Sequence, residues 1–160
     1  MTAQEFKQLF DRSFDDIRRY LYYRSGDREL ATDLAQEAFL KLWEKQIPYQ
    51  PKDNVGLLYK MSSDLFVSRY RRQKIEWEYF KQLKFDVEDE SPEQKLEFNE
   101  LKERYEVALG SLSEKQRIVF LMSRLDGLKY HEIAERLNLS VKAVEKRMSA
   151  ALSQLKSKLS

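Results

Sequence analysis

The stretch "YHEIAERLNLSVKAVEKRM", residues 130–148, decides the fold of the C-terminal part of this chain. Ile133 and Leu137 repeat one turn apart, so they predict the apolar face of a short helix. Asn138 tolerates the left-handed conformation that ends a helix, and Ser140 is a good N-cap for the next one. Two short helices joined by about three residues form the pattern of a helix-turn-helix.

The second helix of this pair has an apolar stripe and a polar face. We expect the stripe to anchor the helix in its domain; its members are Val141, Val144, Met148 and Leu152. The polar face then points away from the core and consists of Lys142, Glu145, Lys146 and Ser149. An ordinary helical hairpin with a solvated charged face would show the same pattern. On this stretch alone, DNA binding and simple solvation therefore remain equally open.

The composition excludes several classes of protein. The 160 residues contain no cysteine, so neither a disulfide framework nor a thiolate metal site can form. Four glycines and three prolines leave few turns, which disfavours an all-β fold. The N-terminus lacks the apolar core of a signal peptide, and no apolar run approaches the roughly 18 residues that span a bilayer. We expect a soluble, cytoplasmic protein without stable membrane insertion.

The net charge of +2 hides a strong segregation along the chain. Residues 1–85 carry a net +3, residues 86–109 a net −6, and residues 110–160 a net +5. A basic C-terminal block that also holds a helix-turn-helix pattern favours a nucleic-acid partner.

Helical periodicity covers the rest of the chain, interrupted at two places. Residues 46–56 hold two prolines, Asn54 and Gly56, and are predicted to form a loop before a third helix. Residues 85–94, "FDVEDESPEQ", hold five acids and a Ser-Pro pair, and nothing in them can build a core. We therefore predict an all-α protein of two small helical bundles joined by a flexible acidic linker. The predicted N-terminal domain spans residues 1–84, the linker 85–92 and the C-terminal domain, with the helix-turn-helix, 93–160.

Catalysis finds little support in the sequence. His131 is the only histidine, so no His-pair metal site is possible, and the glycines stand too far apart to form a phosphate loop. The acids Glu88, Asp89 and Glu90 lie in the linker, where no apolar frame could shift their pKa. We expect no catalytic residue, no metal and no cofactor, and hence no enzyme.

Two other stretches favour binding. "SRYRRQK", residues 68–74, places three arginines and a lysine around a helix with Tyr70 among them, which favours phosphate or base contact over simple solvation. "DLAQEAFLKLWEK", residues 33–45, is apolar over more than one face. Such a helix is either centrally buried in its bundle or docks a partner.

The whole chain resembles the bacterial RNA polymerase sigma factors, in particular the small two-domain extracytoplasmic-function (ECF) group. Residues 33–45 look like that family's core-polymerase-binding helix, and "GLLYKMSSDLFVSRYRRQK" is similar to its minus-ten recognition helix. Residues 112–155 look like its C-terminal domain. The middle stretch departs from the family pattern at three positions, which are Leu57, Asp64 and Ser68.

The resemblance implies core RNA polymerase, promoter DNA and an anti-sigma factor as partners. The residues expected to bind core polymerase are Asp33, Gln36, Glu37, Leu40 and Trp43. Those expected to contact the minus-ten element are Lys60, Asp64, Arg69, Arg71 and Arg72. Those expected at the minus-thirty-five element are Ser140, Lys142, Glu145, Lys146, Arg147 and Ser149, with Ser140 and Arg147 on phosphates.

Two alternatives to a sigma factor remain at this point. A helix-turn-helix regulator acting without core polymerase would explain the C-terminal pattern, although residues 1–85 show no ligand-pocket signature. A helical adaptor that never touches DNA would explain the amphipathic helices, but neither the basic third helix nor the basic C-terminal block.

Overall fold

The computed structural model describes residues 1–70 and 92–159, and every regular element in those two ranges is an α-helix. The N-terminal half holds α1 (Ala3–Ser25), α2 (Arg28–Glu44) and α3 (Pro51–Tyr70). The C-terminal half holds α4 (Pro92–Ser111), α5 (Glu114–Arg124), α6 (Tyr130–Leu137) and α7 (Val141–Leu159). The predicted all-helical class is therefore confirmed. Residues 85–91 of the predicted linker lie outside the described ranges.

Local capping determines where the first two helices begin and end. The Thr2 hydroxyl accepts a hydrogen bond from Glu5 N, and the Glu5 carboxylate accepts one from Thr2 N, which together form a capping box. Gly26 ends α1 at φ 69°, a left-handed conformation that costs glycine little. The Asp27 carboxylate then accepts from Leu30 N and caps α2.

The predicted loop over residues 46–56 is wrong in its second half, because α3 already begins at Pro51. Proline is favoured in the first turn of a helix, where its missing N–H would have no intrahelical partner. Asn54 is only 3% exposed; its side chain accepts from Gln50 N (2.8 Å) and donates to Pro48 O (3.3 Å). Asn54 thus ties the short remaining loop to the start of α3.

The N-terminal core forms where α1, α2 and α3 pack together. Leu34, Ala38 and Leu42 of α2 form a fully buried stripe. Leu9 and Ile17 of α1 face this stripe and are buried as well. Helix–helix contact of this kind supplies most of the stability of amphipathic helices, because an isolated helix is marginal in water.

The C-terminal core uses a different face of α7 from the one predicted. Val144 and Met148 are buried as expected, but Leu152 is 44% exposed, and Ala151 and Leu155 continue the buried stripe. Repeated steps of four residues drift around a helix by about 40° each, whereas alternating steps of four and three stay on one side. Val141, also part of the predicted stripe, is 41% exposed in the first turn of α7.

The two halves also pack against each other, with α1 on α5 and α3 on α6. Arg117 of α5 reaches under the C-terminal end of α1 and donates to Tyr23 O (3.1 Å) and to Leu112 O (3.2 Å). Arg117 is 3% exposed, and this burial lowers its pKa to about 10. A cation at a helix C-terminus interacts favourably with the last carbonyl groups. Arg117 therefore joins the halves through a helix end.

Candidate functional site

The turn between α6 and α7 has the geometry that the sequence predicted. Asn138 ends α6 in the left-handed conformation at φ 54°, and Leu139 N donates back to Ala134 O at 2.8 Å. The Ser140 hydroxyl then accepts from Ala143 N at 3.1 Å, which caps the start of α7. The turn therefore holds α6 and α7 as the two helices of a helix-turn-helix.

One face of α7 is polar and open to solvent at its N-terminal end. Lys142 and Glu145 are exposed, and Lys146 and Ser149 continue the same face at spacings of three and four residues. Val144 and Met148 lie on the opposite, buried side. Four polar side chains on the outer face of a capped helix match the arrangement that reads base edges in a major groove.

Arg147 lies apart from this polar face. Its side chain is half-buried and lines a cleft of about 440 Å³ between the two halves, together with Tyr20, Ser63 and Glu114. The structure thus brings Lys142, Glu145, Lys146 and Ser149 together and places Arg147 beside the N-terminal half.

The outer face of α2 carries the residues predicted to bind a protein partner. Asp33, Gln36 and Leu40 are exposed, and Leu40 is the most exposed large apolar side chain in the described residues, at 56%. Glu37 and Trp43 on this face are half-buried.

The apolar side chains of α2 that lie outside its buried stripe occupy two kinds of environment. Phe39 is 1% exposed and packs edge-on against Phe10, with ring centroids 5.1 Å apart, so it belongs to the core. The Trp43 ring lies 5.0 Å from the Phe6 ring and covers the edge of that core. Leu40, by contrast, is 56% exposed.

The described part of the α3 surface carries the predicted minus-ten residues. Lys60, Asp64 and Arg69 are exposed, while Arg71 and Arg72 lie outside the described residues. Lys60 and Asp64 line a cleft of about 510 Å³ whose opposite wall comes from α6. The α3 face and the helix-turn-helix thus share one cleft.

Sequence reasoning missed a set of charged residues at the contact between the halves. Asp126, in the loop after α5, has a side chain only 2% exposed; its carboxylate accepts from the Tyr23 hydroxyl (2.6 Å) and from Arg19 Nε (2.9 Å). Burial raises the pKa of Asp126, although the hydrogen bonds from Tyr23 and Arg19 act in the opposite direction. In the sequence, Asp126 precedes Gly127 and looks like an ordinary turn acid, so only the fold identifies its role.

Within residues 1–70 and 92–159, no group of His, Cys, Asp and Glu side chains is arranged to hold a metal ion. None of the helices described there is long and apolar enough to cross a bilayer.

Two regions of the chain match known families. Residues 9–74 match the family described as Sigma-70 region 2, and residues 102–155 match Sigma-70, region 4. The order along the chain is the same as in the resemblance drawn from the sequence.

Several curated relatives are similar over nearly the whole chain. The ferric citrate uptake sigma factor FecI of Escherichia coli is 32% identical over 149 residues, covering 92% of this chain and 86% of FecI. The ECF RNA polymerase sigma factor SigE of Mycolicibacterium smegmatis is 29% identical over 152 residues, covering 93% of this chain. This chain spans only 59% of the length of SigE.

The fold also matches a solved structure. The sigma factor RpoE of Bartonella quintana, determined as a co-crystal with the anti-sigma factor NepR, superposes with a TM-score of 0.63. The superposition covers 98% of both chains at 22% identity, so it supports the fold of the two halves together.

Proposed function

Since the chain belongs to the ECF group of the sigma-70 family of RNA polymerase sigma factors, we propose that its two halves divide promoter recognition between them. In this proposal residues 1–84 bind core polymerase and the minus-ten element, residues 85–92 form a linker, and residues 93–160 bind the minus-thirty-five element. The protein acts by binding and is not an enzyme, and it works in the bacterial cytoplasm, where polymerase and promoter meet.

The outer face of α2 is the proposed polymerase surface. Exposed Leu40 is an apolar anchor, and Asp33, Gln36 and Glu37 surround it with polar groups. A central apolar residue inside a polar rim is the usual anatomy of a protein interface. Trp43 borders this surface and also stabilises the domain through Phe6.

The proposed minus-ten surface is the exposed face of α3. Lys60 and Arg69 supply positive charge for phosphates, and Arg71 and Arg72 extend the charge along the sequence. Asp64 lies on the same exposed face. An open promoter presents unstacked bases, which proteins hold with basic grooves and aromatic rings.

The proposed minus-thirty-five surface is the polar face of α7. Lysine donates to guanine O6 and N7, and glutamate accepts from the cytosine amino group, so Lys142, Glu145 and Lys146 favour G·C pairs. Ser149 extends this face by one turn. Ser140 at the N-cap and Arg147 on the flank are proposed to contact phosphates, which position the helix without reading sequence. An anti-sigma factor is a further proposed partner.

The observation that carries this proposal is the exposed Leu40 on a helix whose other leucines, Leu30, Leu34 and Leu42, are buried. An isolated exposed leucine is common on a protein surface, so Leu40 gains its weight from its place within residues 9–74, which match Sigma-70 region 2.

The test is transcription from genomic fragments by purified bacterial core polymerase, with the start sites mapped by sequencing of transcript 5′ ends. Adding the chain should produce discrete start sites that are absent without it, and Leu40→Ala should reduce their yield. If the chain instead binds duplex DNA but neither retains core polymerase nor supports transcription, it is a regulator that acts without polymerase.

A further inference from the structure

Val141 is an apolar side chain on a largely polar part of the surface. It occupies the first turn of α7 and is 41% exposed, whereas Val144 and Met148 of the same helix are buried. The Ser140 hydroxyl caps the helix directly before it, and Val144 N donates to Ser140 O at 3.2 Å. The capped helix therefore holds Val141 in place, but the core of the domain does not cover it.

The place of Val141 in the helix-turn-helix matters more than its exposure. Single apolar side chains are common on protein surfaces, so exposure alone gives Val141 no role. The second helix of a helix-turn-helix, however, contacts base edges with its N-terminal residues, and Val141 is the first residue of that helix. Each Cα–Cβ bond of a helix tilts towards the N-terminus, so the Val141 side chain projects towards the end that enters the groove.

Val141 also lies beside the polar face proposed to read the minus-thirty-five element. Glu145 is one turn further on, on nearly the same side of α7, and Lys142 is the next residue in the chain; both are exposed. A helical rise of about 1.5 Å per residue separates Val141 from Glu145 by about 6 Å along the axis, which corresponds to about two base pairs. Val141 thus reaches a base pair close to the one that Glu145 contacts.

The major groove offers an apolar side chain one specific partner. Thymine presents a methyl group there, whereas the other bases present mainly hydrogen-bond donors and acceptors. Valine neither donates nor accepts hydrogen bonds, so a donor or acceptor placed against it would lose water without compensation. Contact with the thymine methyl group instead removes apolar surface from water on both sides. The branched Cβ of valine leaves one strongly preferred rotamer in a helix, so little side-chain freedom is lost.

We propose that Val141 contacts the C5 methyl group of a thymine in the minus-thirty-five element and selects a T·A pair there. This pair lies no more than about two base pairs from the one that Glu145 contacts. The inference rests on the proposed function, since it requires the polar face of α7 to enter the major groove. It adds an apolar contact to the polar contacts proposed for Lys142, Glu145 and Lys146, which favour G·C pairs.

The experiment is a double-mutant cycle between the protein and the DNA. Deoxyuridine replaces the thymines of a mapped minus-thirty-five element one at a time, which removes only the methyl group. The chain is bound to core polymerase and compared as wild type, as Val141→Ala and as Val107→Ala. Val107 of α4 is the matched control, because it is a valine of similar exposure, at 44%. Alanine is a good helix former and leaves the Ser140 cap intact, so Val141→Ala should keep its fold.

One thymine should be sensitive to the loss of its methyl group. Deoxyuridine at that position should weaken binding of the wild type and of Val107→Ala by about 3- to 5-fold, as expected for one buried methyl group. The affinity of Val141→Ala should stay nearly unchanged, because its contact is already absent. Any effect of deoxyuridine on the shape of the duplex would persist in Val141→Ala and is thereby separated from the contact. The sensitive thymine should lie within about two base pairs of the position at which Glu145→Ala relaxes base preference.

Two results would overturn the contact and leave the proposed function standing. In the first, deoxyuridine weakens the wild type and Val141→Ala equally at every thymine, or weakens neither. In the second, the sensitive thymine lies further from the Glu145 position than the helix allows.

A failure of the proposed function itself has a different signature. If the transcription assay yields no start site, the same cycle is run with the chain alone on duplexes that it selects from a random-sequence pool. Coupling between Val141 and a thymine there would support the methyl contact although the proposed function had failed. A chain that selects no sequence would overturn both.

Discussion

Arg69 Nη2 lies 2.6 Å from Glu37 Oε2, so the proposed minus-ten helix and the proposed polymerase helix are joined by an ion pair. The side chains are 49% and 25% exposed, and Glu37 also lies 3.9 Å from Lys41 Nζ. This pair links the two proposed surfaces, since Glu37 belongs to the proposed polymerase surface and Arg69 to the proposed minus-ten surface. If polymerase binds Glu37 as proposed, its binding competes directly with the ion pair to Arg69.

Glu37→Gln should weaken the retention of core polymerase while leaving the domain folded. An exposed ion pair contributes roughly 0–1 kcal/mol, so the loss in the free energy of unfolding should stay below about 1 kcal/mol. Urea denaturation and competition for core polymerase measure the two quantities. Asp11→Asn removes a similar exposed pair with Lys7 and should change neither. Full polymerase affinity in Glu37→Gln would exclude Glu37 from the interface.

Leu40→Ala and Leu42→Ala should separate binding from folding. Leu42 is fully buried, and its truncation should cost about 2–5 kcal/mol of stability. Leu40 is 56% exposed, so its truncation should cost no more than about 0.5 kcal/mol while weakening polymerase binding. Trp43→Ala should affect both, because Trp43 packs on Phe6. A Leu40→Ala protein that binds polymerase like the wild type would contradict the proposed surface.

Glu145→Ala should relax discrimination at one base pair of the minus-thirty-five element. An acid that faces DNA is repelled by phosphate unless a base amino group receives it, and the loss should be about 1–3 kcal/mol against the wrong base. If Lys146 contacts phosphate, Lys146→Ala should weaken binding to all DNA sequences alike and reduce the dependence of the affinity on salt. Binding to a set of duplexes that differ at single positions measures both effects. Gln154→Ala, at an exposed position beyond this face, is the control. Unchanged base preference in Glu145→Ala would show that α7 does not present this face to the bases.

The free energy of unfolding should fall as the pH rises from 10 to 12, because the Tyr59 phenol ionises more readily in the unfolded chain. Burial raises the pKa of Tyr59 to about 12, against the opposing effect of the charge and hydrogen bond of Arg136. The unfolded chain ionises this phenol near pH 10, so its contribution is complete below pH 10 and is lost as the pH rises towards 12. The loss is on the order of 2–3 kcal/mol, since one pKa unit corresponds to about 1.4 kcal/mol.

Urea unfolding measured across this pH range checks the dependence. Burial raises the pKa of Tyr23 as well, so Tyr59→Phe should flatten the curve only in part. Tyr130→Phe, at an exposed position, should leave it unchanged. A Tyr59→Phe curve identical to that of the wild type would show that this phenol ionises equally in both states.

Asn54→Ala should destabilise the start of α3. The substitution leaves Gln50 N and Pro48 O without their partner in a mostly buried site, at a cost of about 1–3 kcal/mol. Chemical denaturation measures this cost, and Asp53→Ala at the exposed neighbouring position is the comparison. Equal stability of the two variants would mean that water replaces both hydrogen bonds of Asn54.

The helices and the helix-turn-helix were predictable because their signals are local. The left-handed Asn138, the Ser140 cap and the alternating faces of α7 depend on residues within one or two turns of each other. The exposed positions of Lys142 and Glu145 follow from the same periodicity. The start of α3 was mistaken because a proline-rich stretch fits both a loop and a first helical turn.

Local periodicity alone could not settle which residues of α7 are buried. Leu152 and Ala151 lie side by side on the helix, and packing against α4 and α5 selected Ala151. Likewise, the excess apolar surface of α2 predicted either central burial or a partner. Only the fold assigned Phe39 to the core and Leu40 to solvent.

The sequence by itself determined the all-helical class, the order of the helices and the polar face of α7, because helix formation and capping are governed by near neighbours. The tertiary structure alone decided how the halves meet. Arg19 and Asp126 are separated by 107 residues, and Asp16 and Arg136 by 120. Charges that distant can pair in many ways in a chain with 29 basic and 27 acidic residues, so the burial of Asp126 against α1 is a consequence of packing that no local pattern records.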